Sequence, residues 1–365
     1  MLEKKTVRRI TKGNINSQSQ LTYKFFGFVA KTLFSRHFIR VSVLAAITVW
    51  TVWLIITGSS RALSNLIANW EAAVTMIFGS IVAGGTSMGG GAVAFPVFTK
   101  VLHVSPHDAK VFSLAIQSVG MSAASVTIVA MGTKVEWRFI RWASLGGVFG
   151  IVFGSVFLAP VLPSDVIKMS FTTMVSSFAV VLFALNQTRR RPKLAIPFWG
   201  NRERAVSLVA GMWGGIVSGL VGSGMDIFCF SILVLLFGMC EKISTSTSVI
   251  LMAINAVAGF ILHKYVIGDF VEPILGYWLA AVPVVVVGAP IGAILCSLLK
   301  RKTIVRILIG LISIELISSL LLIPLNATLI CSALFVFVLF SSIYYWMYQT
   351  KVYIQKGKYN SNYWQ

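Results

Sequence analysis

Apolar residues dominate this sequence in long runs, which is the pattern of membrane-spanning helices rather than of a soluble core. The runs long enough to cross a bilayer cover residues 41–58, 109–131, 139–160, 166–186, 244–263, 274–299, 303–323 and 328–349. Two further apolar stretches, at 72–102 and 205–239, are interrupted by glycine. The pattern therefore predicts an all-α polytopic membrane protein that contains two broken helices.

The first interruption lies in the segment GSIVAGGTSMGGGAVAFP, at residues 79–96. Its clustered glycines are Gly84, Gly85, Gly89, Gly90 and Gly91. Glycine weakens a helix and permits positive φ, so this segment predicts two half-helices joined at membrane depth. The free N–H groups of the second half-helix would face the break and attract an anion. The alternative is that the glycines only allow tight helix packing, as small residues do in bilayers.

The same pattern returns 135 residues later in GGIVSGLVGSGMDIF, at residues 214–228. The positions that match at this offset without a gap include the pairs Gly79 and Gly214, Gly84 and Gly219, Gly89 and Gly224, and Ser113 and Ser248. Two halves that carry the same interrupted segment indicate a transport site built at the interface between two repeats.

Composition agrees with this class, because 57% of the residues are apolar and 12% are charged. The formal net charge of +20 does not indicate a nucleic-acid partner, since the lysines and arginines lie in short loops and tails between apolar runs. The four cysteines and four histidines are scattered, without a CxxC spacing. Neither a disulfide framework, nor a metal site, nor another cofactor is therefore predicted.

The loop charges decide whether each broken helix crosses the membrane or turns back. If the first one crosses, the basic loops at 132–141 and 187–204 fall outside, which inverts the positive-inside rule. If it is a re-entrant hairpin, both loops lie inside and only Lys100, Lys110 and Lys168 lie outside. A half-helix of about twelve residues is long enough, since it spans about 18 Å of a core about 30 Å thick. Both chain termini are then cytoplasmic.

A hairpin followed by three crossings is an odd unit, so two such repeats must be inverted relative to one another, with hairpin tips that can meet near the midplane. The predicted fold is two inverted repeats, each a re-entrant helical hairpin plus three spanning helices, with one extra helix at each end, giving about eight full spans and two hairpins. The predicted segments are a basic cytoplasmic tail at 1–40, an extra helix at 41–58, repeat 1 at 72–186, a basic linker at 187–204, repeat 2 at 205–326, and an extra helix with a basic tail at 327–365.

At GGTSMGGGAVAFPVFTKVLHVSP and its echo GLVGSGMDIFCFSILVLLF, the sequence resembles the TauE/SafE family of sulfite and organosulfur exporters, over roughly residues 70–326. The resemblance implies two related halves, each opening on a glycine-rich segment followed by a polar-faced helix. It also implies a secondary transporter, not an enzyme, that lies in the lipid bilayer of a bacterial inner membrane. The implied substrates are small sulfur-containing or carboxylate anions such as sulfite, thiosulfate or sulfoacetate.

The second glycine motif departs from the family pattern, because Met225 and Asp226 follow Gly224 where glycine and proline are common. A carboxylate therefore stands where an anion would dock. Asp226 either caps the second half-helix by accepting its N-terminal N–H bonds, or titrates and couples transport to an ion, since intramembrane carboxylates are costly unless functional. The sequence leaves both interpretations open, with H⁺ or Na⁺ as the coupling ion.

Polar residues on the helix after each hairpin form a second part of the predicted site. Ser113 and Gln117 share one helical face, and Thr245, Ser248 and Asn255 follow a helical spacing in the second half. These residues either line a cavity or join helices by hydrogen bonds. Glu315, inside the run 303–323, needs either a partner or a proton.

The predicted site holds an anion by backbone N–H groups at the two turns, with nearby hydroxyl groups and the polar stripes. Its substrate-binding residues are Thr86, Ser87, Gly89, Gly90, Gly91, Ser113, Gln117, Gly222, Ser223, Gly224, Met225, Asp226, Thr245, Ser248 and Asn255, with Asp226 and Glu315 as proton-coupling groups. No lysine or arginine is expected at this depth, because 79–99 and 214–239 contain none.

Two other function classes are weighed against a carrier. An anion channel would share the hairpins and the cavity, and only the inverted repeat, which suits alternating access, favours a carrier. A membrane enzyme is disfavoured because the sequence contains no H-E-x-x-H or G-x-S-x-G motif and no carboxylate pair on an identifiable helical face. The sequence also lacks the GxxxxGK[ST] motif of an ATP-binding loop, so an ion gradient or a partner subunit must supply the energy.

Overall fold

The computed structural model describes residues 36–90, 94, 97–187, 192–323 and 326–361. Its α-helices are α1 Arg36–Thr57, α2 Ser59–Ala68, α3 Trp70–Gly85, α4 Pro106–Ala130, α5 Trp137–Phe153, α6 Ser164–Gln187, α7 Asn201–Val221, α8 Met225–Leu235, α9 Glu241–Ile261, α10 Ile274–Leu298, α11 Arg301–Leu322 and α12 Ala327–Ser361. Short π-helical turns lie at Val97–Val101, Gly154–Leu158 and Leu262–Ile267. Residues 1–35 of the predicted tail at 1–40, Gly91 and the linker residues 188–191 lie outside the described residues.

Within the described ranges, nine helices are long and apolar enough to cross a membrane, which confirms an all-α polytopic membrane protein. They are α1, α4, α5, α6, α7, α9, α10, α11 and α12. Eight of these helices correspond to the eight predicted spans, and the ninth is α7, which the sequence placed in the second hairpin. This helix was expected to be a half-helix of about twelve residues, but it has 21 residues and is followed by the short helix α8.

Helix α7 continues through several glycines because those glycines pack against α5. A methyl group added at Gly211 would overlap the carbonyl oxygen of Ala143, and one added at Gly219 would lie 2.8 Å from the carbonyl oxygen of Ile151. Close backbone contact along the two helices compensates for the low helix propensity of glycine. At these positions the glycines serve tight packing, and the helix breaks only after Val221.

Helix α3 packs against α10 in the same way as α7 packs against α5. A methyl group added at Gly84 would overlap the carbonyl oxygen of Ala289. Gly84 and Gly219 are 135 residues apart, and their partners Ala289 and Ile151 are 138 residues apart. In both pairs the residue numbers of the contacts rise together, so the two helices run parallel. The first helix of each half therefore packs on a spanning helix of the other half.

Helices α7 and α8 form a helical hairpin, called hairpin 2 below. A methyl group added at Gly214, in the middle of α7, would lie 3.2 Å from the Cα atom of Met225, the first residue of α8. The chain then returns to the end at which α7 begins, where the N–H group of Cys240 donates to the carbonyl oxygen of Lys193 at 2.9 Å. The first residue of α8 thus lies beside the middle of α7.

Hairpin 1 consists of α3, the turn that follows Gly85, and the return segment up to Val101. A methyl group added at Gly90 would lie 3.2 Å from the carbonyl oxygen of Gly79, so the chain folds back along α3 after the turn. Phe98 in the return segment belongs to the same apolar cluster as Met76 in α3. The helix α2, which the sequence did not predict, joins α3 at an angle of 83°.

One end of the helix bundle, called the basic end, gathers the loops rich in lysine and arginine. The carboxylate of Glu136 accepts hydrogen bonds from Arg138 at 2.7 Å and from the N–H group of Ile196 at 3.0 Å. Arg301 lies 3.6 Å from the carboxylate of Glu241. These contacts bring the segments before α5, before α7, before α9 and before α11 to the same end.

The opposite end, called the histidine end, is joined by one acidic residue. Asp269 accepts hydrogen bonds from His107 and from His263, each at 2.9 Å. Partial burial raises the pKa of Asp269, but the two hydrogen bonds outweigh it and hold this pKa well below its ordinary value. Asp269 therefore ties the start of α4 to the end of the helical segment that begins with α9.

Candidate substrate site between the hairpin turns

The glycine-rich turns of the two hairpins meet inside the protein. Gly89, in the turn of hairpin 1, has a positive φ of 68°. A methyl group added there would lie 3.0 Å from Oδ2 of Asp226 and 3.6 Å from Cβ of Ser223, both in hairpin 2, and 2.8 Å from Oε1 of Gln117 in α4. Gly89 therefore provides the close approach that a side chain would prevent.

The polar face of α4 holds the turn of hairpin 2 in place. The side-chain amide of Gln117 donates to the carbonyl oxygen of Gly222 at 3.0 Å and to Oγ of Ser113 at 2.7 Å. The hydroxyl group of Ser113 also donates to Gly222, at 3.1 Å. These bonds join helices, yet Oε1 of Gln117 has no hydrogen-bond partner among the described residues. We call Gly89, Ser113, Gln117, Gly222 and Asp226 the turn cluster.

Asp226 lies in the first turn of α8 and is fully buried. Its Oδ1 atom accepts the N–H group of Ile227 at 3.0 Å, and Oγ of Ser218 accepts the N–H group of Met225, also at 3.0 Å. The helix cap itself is Gly224, whose φ is 129°. Amides at the start of α8 are therefore already partnered by the protein, whereas Oδ2 of Asp226 has no hydrogen-bond partner in the described part of the chain.

The turn of hairpin 1 is arranged differently. Thr86 donates from its hydroxyl group to the carbonyl oxygen of Val82 at 2.8 Å and accepts the N–H group of Met88 at 3.3 Å. The hydroxyl group of Ser87 is buried and has no partner among the described residues. Gly90 packs on α3, as described above, and Gly91 lies outside the described residues.

The predicted residues of α9 divide into two groups. Thr245 and Ser248 are buried, and their hydroxyl groups donate to carbonyl oxygens of their own helix, Thr245 at 2.9 Å and Ser248 at 3.0 Å. Asn255 is buried beside Gly147 and the side chain of Met225, and its amide group has no partner in the described ranges. Asn255 thus lies next to the start of α8, whereas no bond ties Thr245 or Ser248 to the turn cluster in the residues described.

Glu315 belongs to a separate cluster between α6 and α11. Its Oε1 atom accepts a hydrogen bond from Thr172 at 3.5 Å, and Thr172 lies 3.1 Å from the hydroxyl group of Ser319. The other carboxylate oxygen of Glu315 has no hydrogen-bond partner in the described part of the chain. Glu315 thus has a hydroxyl partner, Thr172, which is what the interpretation of Glu315 as a residue that needs a partner required.

The segment that contains both hairpins and the turn cluster matches a family model. This model, for the sulfite exporter TauE/SafE, matches residues 72–320, which is more than half of the chain. The chain belongs to the sulfite exporter TauE/SafE family. Neither the curated proteins nor the solved structures gave a match.

The matched segment of this TauE/SafE protein begins in α3 and ends in α11, so α1, α2 and α12 lie outside it. Membership of this family and the nine apolar helices make the chain an integral membrane protein. The family also identifies it as a membrane transporter of sulfite or related anions. Its turn cluster is the buried polar site at which the two hairpins of such a transporter meet.

Two residues beside the candidate site of this TauE/SafE protein were not predicted from the sequence. Lys110 lies at the depth of the turns, because a methyl group added at Gly222 would lie 2.7 Å from its carbonyl oxygen. Its spacing contained the signal, since Lys110, Ser113 and Gln117 share one helical face. Phe171 also lies beside the turn of hairpin 2, because its ring would lie 3.0 Å from a methyl group added at Gly224. The sequence could not predict this neighbour, since Phe171 belongs to the separate helix α6.

Proposed function

We propose that this protein is a secondary transporter that carries a small sulfur-containing anion, such as sulfite or thiosulfate, past the turn cluster by alternating access. The observation that carries the proposal is the contact between the two turns at Gly89 and Asp226. A buried polar site between two broken helices is where transporters built from repeats bind their substrates.

The anion binds at the turn of hairpin 1. The start of α8 in hairpin 2 already holds the carboxylate of Asp226, and a second negative charge would be repelled there. On the other side, the unpartnered hydroxyl group of Ser87 and the backbone N–H groups near Gly89 and Gly90 are donors suited to an oxyanion. The two turns therefore take different roles, although their sequences are related.

Asp226 couples the anion to a proton. Its Oδ2 atom faces the turn at which the anion binds, and it lacks a hydrogen-bond partner among the described residues. A proton on this oxygen removes the repulsion between the carboxylate and the anion. The anion therefore binds together with a proton, and the transporter carries both in the same direction. We therefore favour coupling to H⁺ over Na⁺.

The packing of the two halves supports an inverted repeat that moves as rigid bodies. The pairs α3 with α10 and α5 with α7 are close-packed through glycines, so each pair moves as a unit. The two turns meet at the close approach of Gly89 to Asp226 and Ser223. Hairpin 2 is held to α4 by a few side-chain hydrogen bonds from Ser113 and Gln117. Such contacts break and re-form more easily than a close-packed backbone interface. Alternating access then exposes the turn cluster first to one end of the bundle and then to the other.

The basic end faces the cytoplasm in this proposal. It holds the charged loops before α5, α7 and α11, and the positive-inside rule assigns such short basic loops to the cytoplasmic side. The histidine end then faces outwards, both chain termini are cytoplasmic, and the membrane is a bacterial inner membrane.

Flux measurements with purified protein in liposomes test this function. We expect uptake of sulfite or thiosulfate to saturate with concentration and to be accelerated by the same anion on the opposite side, which a carrier shows and an open channel does not. The matched control is Gly310→Ala, in a part of α11 where a methyl group meets no described atom within 4 Å. Flux that rises linearly with concentration, without exchange, would favour the channel, and an absence of anion flux would refute the proposal.

A further inference from the structure

A small polar cavity opens at the histidine end, next to hairpin 2. It has a volume of about 50 Å³ and is lined by Pro106, His107, Lys110, Ser164, Lys168 and Val221, among others. A cavity of this size holds a few water molecules or one small oxyanion, because a single water needs about 10–15 Å³ on the same scale. His107 and Ser164 at its rim are exposed, whereas Lys110 and Lys168 are buried.

Two helix N-termini point positive potential into this cavity. Lys110 is the fifth residue of α4, and Lys168 is the fifth residue of α6, so both helices contribute their first turn to the lining. The N-terminus of a helix attracts negative charge through its dipole, although in α4 the N–H group of Asp108 is already bonded to Oγ of Ser105. The Cα atom of each lysine lies about 6 Å along the axis from the first residue of its helix, and its side chain adds a positive charge to the lining.

The environment of Lys110 indicates that the cavity binds a ligand. Lys110 is only 4% exposed, and it forms no hydrogen bond or ion pair within the described part of the chain. Asp269 acts on it through its charge but bonds to the two histidines instead. Lys168 differs, because the carboxylate of Glu315 acts on it. A charged lysine side chain that is almost entirely buried and has no bonded partner among the described residues is costly, and an anion in the cavity that Lys110 lines would supply that partner.

The cavity lies beside the turn of hairpin 2. Its lining includes Val221, and Gly222 follows in the turn cluster. The backbone of Lys110 contacts Gly222 directly. The cavity thus borders the glycine turn that belongs to the turn cluster.

From these observations we propose that the cavity is a second anion site, an outer vestibule in which Lys110, Lys168 and two helix N-termini bind a small oxyanion before it reaches, or after it leaves, the turn cluster. The proposal rests on the proposed function for the class of anion, sulfite or thiosulfate. Lysine suits such a transient site, because its charge attracts an anion without the paired geometry with which arginine holds one.

Anion binding to a protein with a blocked turn cluster tests the vestibule separately from transport. In Gly89→Val the bulky side chain fills the space between the turns, so we expect flux to stop. We expect this variant to retain one weak site for thiosulfate in calorimetry. Adding Lys110→Met should weaken that binding at least tenfold, and Lys110→Arg should restore most of it.

The control for charge alone is Lys264→Met, because Lys264 is exposed at the same end and lies over the rings of Phe260 and Tyr265, outside the cavity. It should leave binding unchanged. Thiosulfate binding by Gly89→Val that is absent, or equal with and without Lys110→Met in folded protein, would overturn the vestibule. If the wild type carries no sulfur anion but lysine-dependent binding persists, the vestibule stands and the transport proposal fails.

Discussion

Gly89 and Asp226 are 137 residues apart in sequence, yet one carboxylate oxygen of Asp226 would lie only 3.0 Å from a methyl group placed on Gly89. The turn of hairpin 1 thus has no side chain at the position where hairpin 2 presents its acid. This contact brings the turns of the two hairpins together. The turns differ in charge, because only hairpin 2 carries a carboxylate there.

The first prediction compares two neighbouring glycines in the turn of hairpin 1. Gly89→Ala should weaken anion binding about tenfold or more, because alanine at a positive φ costs about 1–2 kcal/mol and its methyl group would crowd Gln117 and Asp226. Gly90→Ala should change binding less than about threefold, since its methyl group would point towards α3, where only the carbonyl oxygen of Gly79 at 3.2 Å is tight, and not towards Gln117 or Asp226. Isothermal calorimetry with thiosulfate on both folded variants measures this difference. Equal losses would contradict the role assigned to the close approach of Gly89 to Gln117 and Asp226.

The second prediction concerns proton coupling by Asp226. Asp226→Asn should fold and should carry the anion down its own gradient, because an amide oxygen can still accept the N–H group of Ile227. Its flux should no longer respond to a pH gradient, since an amide stays neutral and does not titrate at neutral pH. Uptake into liposomes with and without an imposed pH gradient reports this. A pH response equal to that of the wild type would reduce Asp226 to a residue that stabilises the helix end.

The third prediction separates glycines that pack from glycines that do not. Gly211→Ala should destabilise the protein by about 1–3 kcal/mol, because the added methyl group overlaps the backbone of Ala143. Gly310→Ala should leave stability unchanged or raise it by up to about 1 kcal/mol, since alanine is the better helix former and the site is open. Thermal melts in detergent compare the two variants. A similar loss of stability in both variants would show that α5 and α7 do not pack closely at Gly211.

The fourth prediction concerns the orientation in the membrane. Single cysteines at Lys134 and Asn201, both exposed at the basic end, should react only with reagents on the cytoplasmic side. Single cysteines at His103 and Pro160, exposed at the histidine end, should react only from outside. The background needs Cys331→Ser, because Cys331 is an exposed free cysteine. Labelling of Lys134Cys from outside would refute the proposed orientation.

The fifth prediction follows from the lowered pKa of Asp269. A carboxylate whose pKa is lower in the folded state stabilises the fold above its ordinary pKa and loses this effect as the pH falls towards the lowered value. Asp269→Asn should therefore melt at a lower temperature than the wild type at pH 5 to 6, and the difference should shrink below about pH 4. Melting curves over this range test it, and a difference that grows in acid would contradict the assignment.

Much of the fold followed from the sequence because a bilayer restricts the possibilities. The apolar runs located all the long apolar helices of the described residues except α7, and the glycine clusters located both turns. The sequence did not predict the length of α7. Its glycines predict a break, but whether glycine breaks a helix or packs against another depends on the partner, and α5 lies elsewhere in the sequence.

The sequence predicted those residues of the candidate site that belong to the glycine-rich turns or to the polar face of α4. Gly89, Ser113, Gln117 and Asp226 meet as one cluster in the structure. Phe171 and Lys168 were not predictable as neighbours of the site, because they come from α6, whose rotation about its own axis depends on packing that a single sequence does not reveal. The sequence placed Lys110 on the outer side of the membrane, because the positive-inside rule assigns a residue to one side and does not give its depth.

The pairing of α3 with α10 has a consequence for the order of assembly. Gly84 is synthesised 205 residues before its partner Ala289, which at about 5–20 residues per second is a delay of about 10–40 s. During that interval the small-residue face of α3 has only lipid or the insertion machinery beside it. The packing of hairpin 1 on α10 is therefore completed only late in synthesis, and a nascent chain that stops before α10 leaves the turn of hairpin 1 without this support.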